Sequence, residues 1–122
     1  MDGALIAAAG VFLVLAGLHS ILGERLIFRV IGRGRAVGDP ALSLLSQRRW
    51  DALWSTWHLV SIWGVGVAVV LIALGAPDRI SLGPTPILAA TMGVSAVFWS
   101  WGTRLKHPAW LGFLLAAVLL LL

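Results

Sequence analysis

Four long stretches of this chain contain no Asp, Glu, Lys or Arg, and they constrain its fold more than any other feature. The stretches cover residues 3–23, 52–77, 80–103 and 107–122. A helix needs about 20 predominantly apolar residues to cross the hydrocarbon core of a bilayer. Only 11% of the chain is charged and 60% is hydrophobic, whereas soluble domains are about 25% charged. We therefore predict an all-α integral membrane protein.

The predicted architecture is a four-helix bundle that forms a single transmembrane domain over residues 1–122, with spans at about residues 3–23, 52–75, 86–103 and 108–122. Thr85 followed by Pro86 is typical of a helix N-terminus and sets the predicted start of the third span. The fourth span is short, because residues 108–122 make roughly 22 Å of helix against a core of about 30 Å. We retain it as a span because its terminal leucines would be costly to expose to water.

The basic residues indicate the orientation of the chain in the membrane. Eight of the nine Lys and Arg residues fall in the loops that follow the first and third spans. Such loops face the cytoplasm, so we expect periplasmic termini and a bacterial inner (cytoplasmic) membrane location. The lipid bilayer then accounts for the positive charge without nucleic acid as a partner. The eight residues are Arg25, Arg29, Arg33, Arg35, Arg48, Arg49, Arg104 and Lys106.

The first of these loops contains a periodic segment. Arg25, Arg29 and Arg33 recur every four residues, with apolar residues between them. This pattern predicts a basic amphipathic helix that continues from the first span and lies at the membrane surface. The Asp39-Pro40 pair further on predicts a short helix that ends near Gln47.

Small residues at regular spacing offer surfaces for close helix packing. Gly3, Gly10 and Gly17 are seven residues apart in the first span, and Ala89 and Gly93 are four apart in the third. Small side chains let neighbouring membrane helices approach closely. We therefore expect these residues to lie at helix contacts.

His19 and His58 are the two ionisable side chains inside predicted spans. Counting from Glu24 and from Asp51 at the helical rise places them about 7.5 and 10.5 Å inside the cytoplasmic boundary. Ionisable residues inside a membrane are candidate functional sites by default. Three roles stay open at this point: hydrogen bonding that fixes helix packing, binding of a cofactor or metal, and relay of a proton or substrate.

The aromatic residues favour a flat ligand near these histidines. Six of the seven tryptophans lie toward the predicted cytoplasmic side; an aromatic belt at the headgroups is the alternative explanation. We expect haem b or a transition metal bound by His19 and His58, with Trp57 packed against it. Arginine pairs well with carboxylates, so the residues expected at the haem propionates are Arg25, Arg48 and Arg49.

Four further polar residues are assigned structural or relay roles. Glu24 is expected to form an interfacial ion pair with Arg25, the next residue in the chain, and Asp51 is the alternative partner of Arg25. Asp51 and Ser55 share a helix face with His58 at spacings of seven and three residues. His107 is expected to open the fourth span.

The placement of the first two spans would distinguish the ligands. Packed helices lie about 8–10 Å apart, which is too close for two histidines on neighbouring helices to sandwich a haem. Diagonal spans with both rings turned inward would favour haem, whereas adjacent spans would favour a metal or proton site. Rings that point into lipid would favour a protein without a cofactor.

The segment 19–25 reads His-Ser-Ile-Leu-Gly-Glu-Arg, and Trp57-His58-Leu59 follows in the second span. With the ending from Trp110 to Phe113, these motifs resemble those of a family of small four-helix bacterial membrane proteins. The resemblance implies a four-helix membrane fold, and it directs attention to His19, Glu24, Arg25 and His58. It implies no activity.

The leading functional expectation is a histidine site near the cytoplasmic side that binds haem or a metal for electron transfer or cofactor handling. The first alternative is an accessory or assembly subunit without a cofactor, which would dock in a larger membrane complex or form a homo-oligomer. The second is a small carrier or proton relay. No enzymatic activity is assigned.

Overall fold

The computed structural model describes residues 1–36, 38, 40 and 46–122, and every regular element within them is helical. Helix α1 continues through a π-helical segment into α2, so that the three together form one long helix. Four helical units therefore correspond to the four predicted spans, and the all-α prediction is confirmed. The elements are α1 (Gly3–Leu22), the π segment (Gly23–Phe28), α2 (Arg29–Ala36), α3 (Gln47–Gly75), α4 (Pro84–Gly102) and α5 (Ala109–Leu119).

The helix ends differ from the predicted ones for local reasons. α3 begins five residues early because Ser46 caps it, with Ser46 Oγ accepting from Arg49 N at 3.4 Å. The predicted start of α4 at Thr85-Pro86 is wrong: Gly83 is the N-cap and Pro84 the first helical residue, a position that needs no N–H donor. α5 ends at Leu119, so it is shorter than the predicted fourth span. The short helix predicted after Asp39 lies largely outside the described residues.

Two of the helical units are long and apolar enough to cross a membrane by length and composition. They are Gly3–Gly32 and Gln47–Gly75, while α5 is apolar but shorter than such helices. Residues 25–31, which were predicted to be helical, belong to the first of these units as a direct continuation of α1. Their location at a membrane surface stays a prediction.

The helices pack in chain order. α3 lies against α1 and α4, and α4 lies against α5, whereas extensive packing of α1 on α4 or α5 is absent among the described helices. The arrangement is therefore an open row of helices, whereas the sequence predicted a four-helix bundle. α1 and α3 run antiparallel, because Asp2 N donates to Gly75 O at 2.8 Å at one end and Trp54 Nε1 donates to Glu24 Oε2 at 3.0 Å near the other.

The basic residues gather at that second end. Arg48 Nη2 donates to Lys106 O at 2.6 Å, which joins the start of α3 to the loop between α4 and α5. Arg29 follows Glu24 at the same end. The basic residues that the sequence places in separate loops therefore lie at the same end of the fold.

The contact between α1 and α3 is made by small residues that directly precede the predicted ones in the sequence. Ala9, Ala16 and Gly23 are buried at heptad spacing. Gly3, Gly10 and Gly17 instead face open space, since a Cβ added to any of them would meet nothing within 4 Å. Both sets repeat every seven residues, so the sequence period alone does not distinguish two stripes about 100° apart around the helix. A Cβ added at Gly93 would also meet nothing within 4 Å.

We predict that Gly23→Ala destabilises the protein, because an alanine Cβ there would overlap the Trp57 indole. Overpacking of this kind costs about 1–3 kcal/mol. Gly10→Ala is the matched control in the same helix. It should be neutral or stabilise by up to about 1 kcal/mol, because alanine is the better helix former and space is available. Thermal unfolding of the purified variants, followed by circular dichroism, measures both effects; equal unfolding midpoints would contradict the packing.

Candidate functional site

His19 and Trp57 form a reciprocal pair between α1 and α3. His19 Nε2 lies 3.1 Å from Trp57 O, and Trp57 Nε1 donates to His19 O at 3.1 Å. The two rings stack with centroids 4.4 Å apart and planes only 8° from parallel. Because Gly23 has no side chain, the indole can rest directly on α1. Two backbone carbonyls and two aromatic rings thus fix the register of the helices.

A short hydrogen-bonded chain begins at the next residue. Ser20 Oγ lies 2.9 Å from His58 Nδ1 and donates to Ser61 Oγ at 2.8 Å. His58 and Ser61 are three residues apart on α3, so they share the helix face that meets α1. The His58 side chain is 14% exposed. Ser20 therefore connects a largely buried imidazole to a second hydroxyl deeper in the helix pair.

Glu24 closes this chain on the other side of the imidazole. Its Oε2 lies 3.6 Å from His58 Nε2, and the Glu24 side chain is 38% exposed. The same carboxylate oxygen accepts the hydrogen bond from Trp54 Nε1. His58 Nε2 is itself buried and has no hydrogen-bond partner among the described residues. The imidazole thus lies between a hydroxyl and a partly exposed carboxylate.

The π segment determines which arginine Glu24 meets. Within it the backbone bonds reach five residues back, and Arg29 N donates to Glu24 O. Arg29 Nε lies 3.9 Å from Glu24 Oε1. The predicted pair of Glu24 with Arg25 is wrong, because consecutive helical residues point in different directions while the π turn returns Arg29 toward Glu24. π-helical turns often occur at functional sites.

Aromatic rings enclose the imidazole. Phe28 is only 3% exposed, and it lies edge-on to Trp50 and Trp57 with its centroid 5.9 Å from that of His58. Trp54 lies 4.6 Å from His58 and 5.6 Å from Phe98 on α4, again between ring centroids. Such surroundings exclude water and strengthen the electrostatic interactions of the polar groups inside them.

The hydrogen bonds of Ser20 allow two tautomers of the His58 imidazole. Ser20 has one hydroxyl hydrogen; when it points to Ser61, the hydrogen between Ser20 and His58 belongs to Nδ1. A neutral imidazole would then turn a bare Nε2 lone pair toward Glu24. If the two hydroxyls reverse, Ser20 donates to Nδ1 and His58 carries its proton on Nε2 toward Glu24.

His19 and His58 lie on adjacent helices but line different cavities. His58 lines a groove of about 550 Å³, here called the His58 groove. His19 lines a cavity of about 600 Å³ on the other side of the helix pair, and Ser61 and Ala16 line both. Diagonal spans, the condition set for a haem between the two histidines, are not observed. Among the described residues no group of three or more His, Cys, Asp or Glu could hold a metal ion. Ligation of haem or a metal by His19 and His58 stays a prediction.

The remaining predicted site residues lie apart from His58. Arg48 binds the Lys106 carbonyl, Arg25 and Arg49 are exposed, and Asp51 Oδ1 accepts from Gln47 Nε2 at 2.6 Å. Ser55 is fully buried where α3 crosses α4 at Gly102. His107 Nδ1 accepts from Trp99 Nε1 and from Ala109 N, both at 3.3 Å, at the start of α5. The structure therefore brings together His58, Glu24 and the His19–Trp57 pair, and leaves the other predicted residues outside.

Several functional residues were absent from the predicted site. Trp54 and Ser61 were visible as face neighbours of His58, at spacings of four and three residues, and Ser20 is adjacent to His19. Phe28 and Phe98 had no such signal, because their contacts with the site depend on the π segment and on the packing of α4.

We predict that Trp57→Phe lowers the free energy of unfolding by about 1 kcal/mol, because it removes the hydrogen bond to His19 O but keeps an aromatic ring. Trp63→Phe is the matched control, since Trp63 is exposed on the same helix and lines a cavity. Chemical unfolding of both variants measures the difference. A loss at Trp63 equal to that at Trp57 would contradict the role of the His19–Trp57 pair.

No family model, curated protein or solved structure matches this chain. The family suggested by the His-Ser-Ile-Leu-Gly-Glu-Arg and Trp-His-Leu motifs stays a prediction.

Proposed function

We propose that this chain is a small multi-pass protein of a bacterial inner membrane whose buried histidine site, near the cytoplasmic side, relays protons. One observation carries the proposal: His58 lies between the Glu24 carboxylate and the Ser20 hydroxyl, so that each of its two ring nitrogens faces a group that can exchange a proton. The proposal selects the proton-relay alternative over the haem or metal site and over the accessory subunit.

The surface of the fold supports the membrane location. Two helical units are long and apolar enough to span a bilayer, and large aliphatic side chains are exposed on every long helix. Apolar surface this extensive is not tolerated by monomeric soluble proteins. α4 and the short α5 would cross beside them. Exposed examples are Val11, Leu15, Val60, Val67, Val97, Leu115 and Leu119.

The grouping of cations at one end supports the orientation. Arg29, Arg48 and Lys106 belong to the end where α3 begins. The opposite end, where Asp2 meets Gly75, holds Arg79 as its one basic side chain among the described residues. The positive-inside rule assigns the basic end to the cytoplasm and both termini to the periplasm. Glu24 then faces the cytoplasmic headgroups, and Ser61 lies deeper in the membrane.

The relay runs from Glu24 through His58 and Ser20 to Ser61. Glu24 is the partly exposed entrance, and histidine is the side chain that gains and loses protons most readily at physiological pH. The two hydroxyls transmit the change by reversing their hydrogen bonds, as the alternative arrangements above describe. The chain ends at Ser61, which lines both cavities. The relay therefore delivers protons to a molecule bound there.

The existing partners of the two histidine rings favour a proton relay over binding of a metal or haem iron by His19 and His58. His19 Nε2 is engaged by the Trp57 carbonyl, and its ring face is covered by the indole. His58 Nδ1 is engaged by Ser20, and Nε2 faces Glu24 inside a ring of aromatic groups. A metal or haem iron at either histidine would have to displace these partners.

The orientation predicts the activity of topology reporters. A reporter active only in the cytoplasm should be inactive when fused after Leu122 and active when inserted beside Lys106, because the two sites lie on opposite sides of the membrane. Equal expression of the two fusions is the control. Activity after Leu122 comparable to that beside Lys106 would overturn the orientation.

The relay predicts a specific response of His58 to its carboxylate neighbour. In protein labelled with ¹⁵N-histidine, Glu24→Gln should shift the ring nitrogens of His58 and slow exchange of its imidazole proton with water by about tenfold or more, because glutamine does not transfer protons.

Asp51→Asn is the matched control, since that carboxylate is on the same helix as His58 but is bonded to Gln47. The three histidines of the chain can be assigned by single substitution to glutamine. The relay would be refuted if Glu24→Gln left the His58 spectrum and exchange rate unchanged. It would also be refuted if Asp51→Asn changed them by the same amount.

A further inference from the structure

The open row of helices leaves the His58 groove between α1 and α4, with α3 as its floor. Leu13 and Gly17 come from α1, His58 and Val65 from α3, and Phe98 from α4. Its volume of about 550 Å³ falls within the range of about 300–1,000 Å³ that is typical of small-molecule sites. A groove of this size would admit a small molecule from the lipid phase.

The polar atoms of the groove are confined to one end. Ser20, His58 and Ser61 line that end, and beyond them the lining is aliphatic. Ile62 and Val65 also line a second groove of about 440 Å³ that continues to Val69. The distance from His58 to Val69 along α3 is about 16 Å at the helical rise. This shape suits an amphiphile with a compact polar head and a long apolar tail.

The charges beside the head position favour a neutral group. Glu24 lies 3.6 Å from His58, so a fatty-acid carboxylate or a lipid phosphate would meet a like charge in surroundings of low polarity. The hydroxyl of Ser61, which accepts from Ser20, keeps its own hydrogen to donate to a neutral acceptor oxygen. The head is therefore uncharged and carries acceptor oxygens.

The walls at the head position favour a planar ring. Trp54 and Phe98 both line the groove, with ring centroids 5.6 Å apart and planes 28° from parallel. Aromatic side chains pack well against flat conjugated rings, either stacked or edge-on. A branched or purely aliphatic head would not use these surfaces.

We infer that the His58 groove binds a lipid-soluble quinone, a planar ring with two carbonyl oxygens and a long isoprenoid or alkyl tail. The ring lies against Trp54 and Phe98, one carbonyl accepts from the hydroxyl of Ser61, and the tail follows Ile62 and Val65. The inference rests on the proposed membrane location and concerns binding of the quinone alone.

Gly17 provides a sharp test of this inference. It lines the groove, and a Cβ added there meets nothing within 4 Å. Gly17→Leu therefore fills the groove, and its backbone position tolerates a side chain. Gly10→Leu places the same side chain one heptad away in open space outside the groove, and it is the matched control.

The experiment uses the full chain labelled with 5-fluorotryptophan in phosphatidylcholine nanodiscs, titrated with decylubiquinone and followed by ¹⁹F NMR. We expect a saturable shift of the Trp54 signal and none at Trp63, which lines the His19 cavity. Gly17→Leu should weaken binding at least tenfold, and Gly10→Leu should bind like the unsubstituted chain. Ser61→Ala should weaken binding about fivefold, as expected for the loss of one hydrogen bond.

The inference is overturned if the Trp54 and Trp63 signals change together without saturation, or if Gly17→Leu binds as tightly as Gly10→Leu. It is also overturned if palmitate or tetraphenylphosphonium binds at Trp54 more tightly than decylubiquinone. If the protein does not bind quinone but His58 still responds to Glu24→Gln, the quinone site is refuted and the proposed relay stands. Quinone binding without that response would refute the relay and spare the groove.

Discussion

The contact between the last turn of α1 and the third turn of α3 determines the rest of the structure. His19 and Trp57 bond to each other's backbone carbonyls and stack their rings, and this arrangement exists only because Gly23 leaves room for the indole. Once the register is fixed, Ser20 must meet His58, because each is the next residue in its chain. A shift of one residue in either helix would turn one of these side chains about 100° away.

The polar residues from Glu24 through His58 and Ser20 to Ser61 lie beside apolar side chains, which strengthens the electrostatic contacts between them. A histidine beside a carboxylate in water would make a weak, screened contact. Here Phe28 and Trp54 cover the imidazole on two sides, and Glu24 keeps limited contact with the exterior. Low local polarity makes an unpaired polar atom costly. His58 Nε2 has no hydrogen-bond partner among the described residues, so the nearby Glu24 carboxylate is the group that can stabilise it.

The sequence predicted the helices and the depth of the histidines, which depend on composition and residue count. It did not predict the orientation of side chains around each helix axis. The apolar runs were sufficient to locate the helices, and the count of residues placed His19 and His58 at one level. It did not predict that their rings would line different cavities, because both orientations satisfy the same depth. The heptad of Gly10 was preferred to that of Ala9 for the same reason. The pairing of Arg29 with Glu24 required the π segment, whose backbone shift has no signature in residue spacing.

The central claim is that His58 and Glu24 are direct neighbours inside the protein, as the proposed relay requires. The most direct test is a solid-state NMR distance between ¹⁵Nε2 of His58 and the ¹³C-labelled carboxyl of Glu24, measured on the full chain in lipid bilayers. The account predicts direct contact, consistent with the 3.6 Å that separates Nε2 from Oε2. A separation beyond about 6 Å, where a charge ceases to act as a close neighbour, would contradict it.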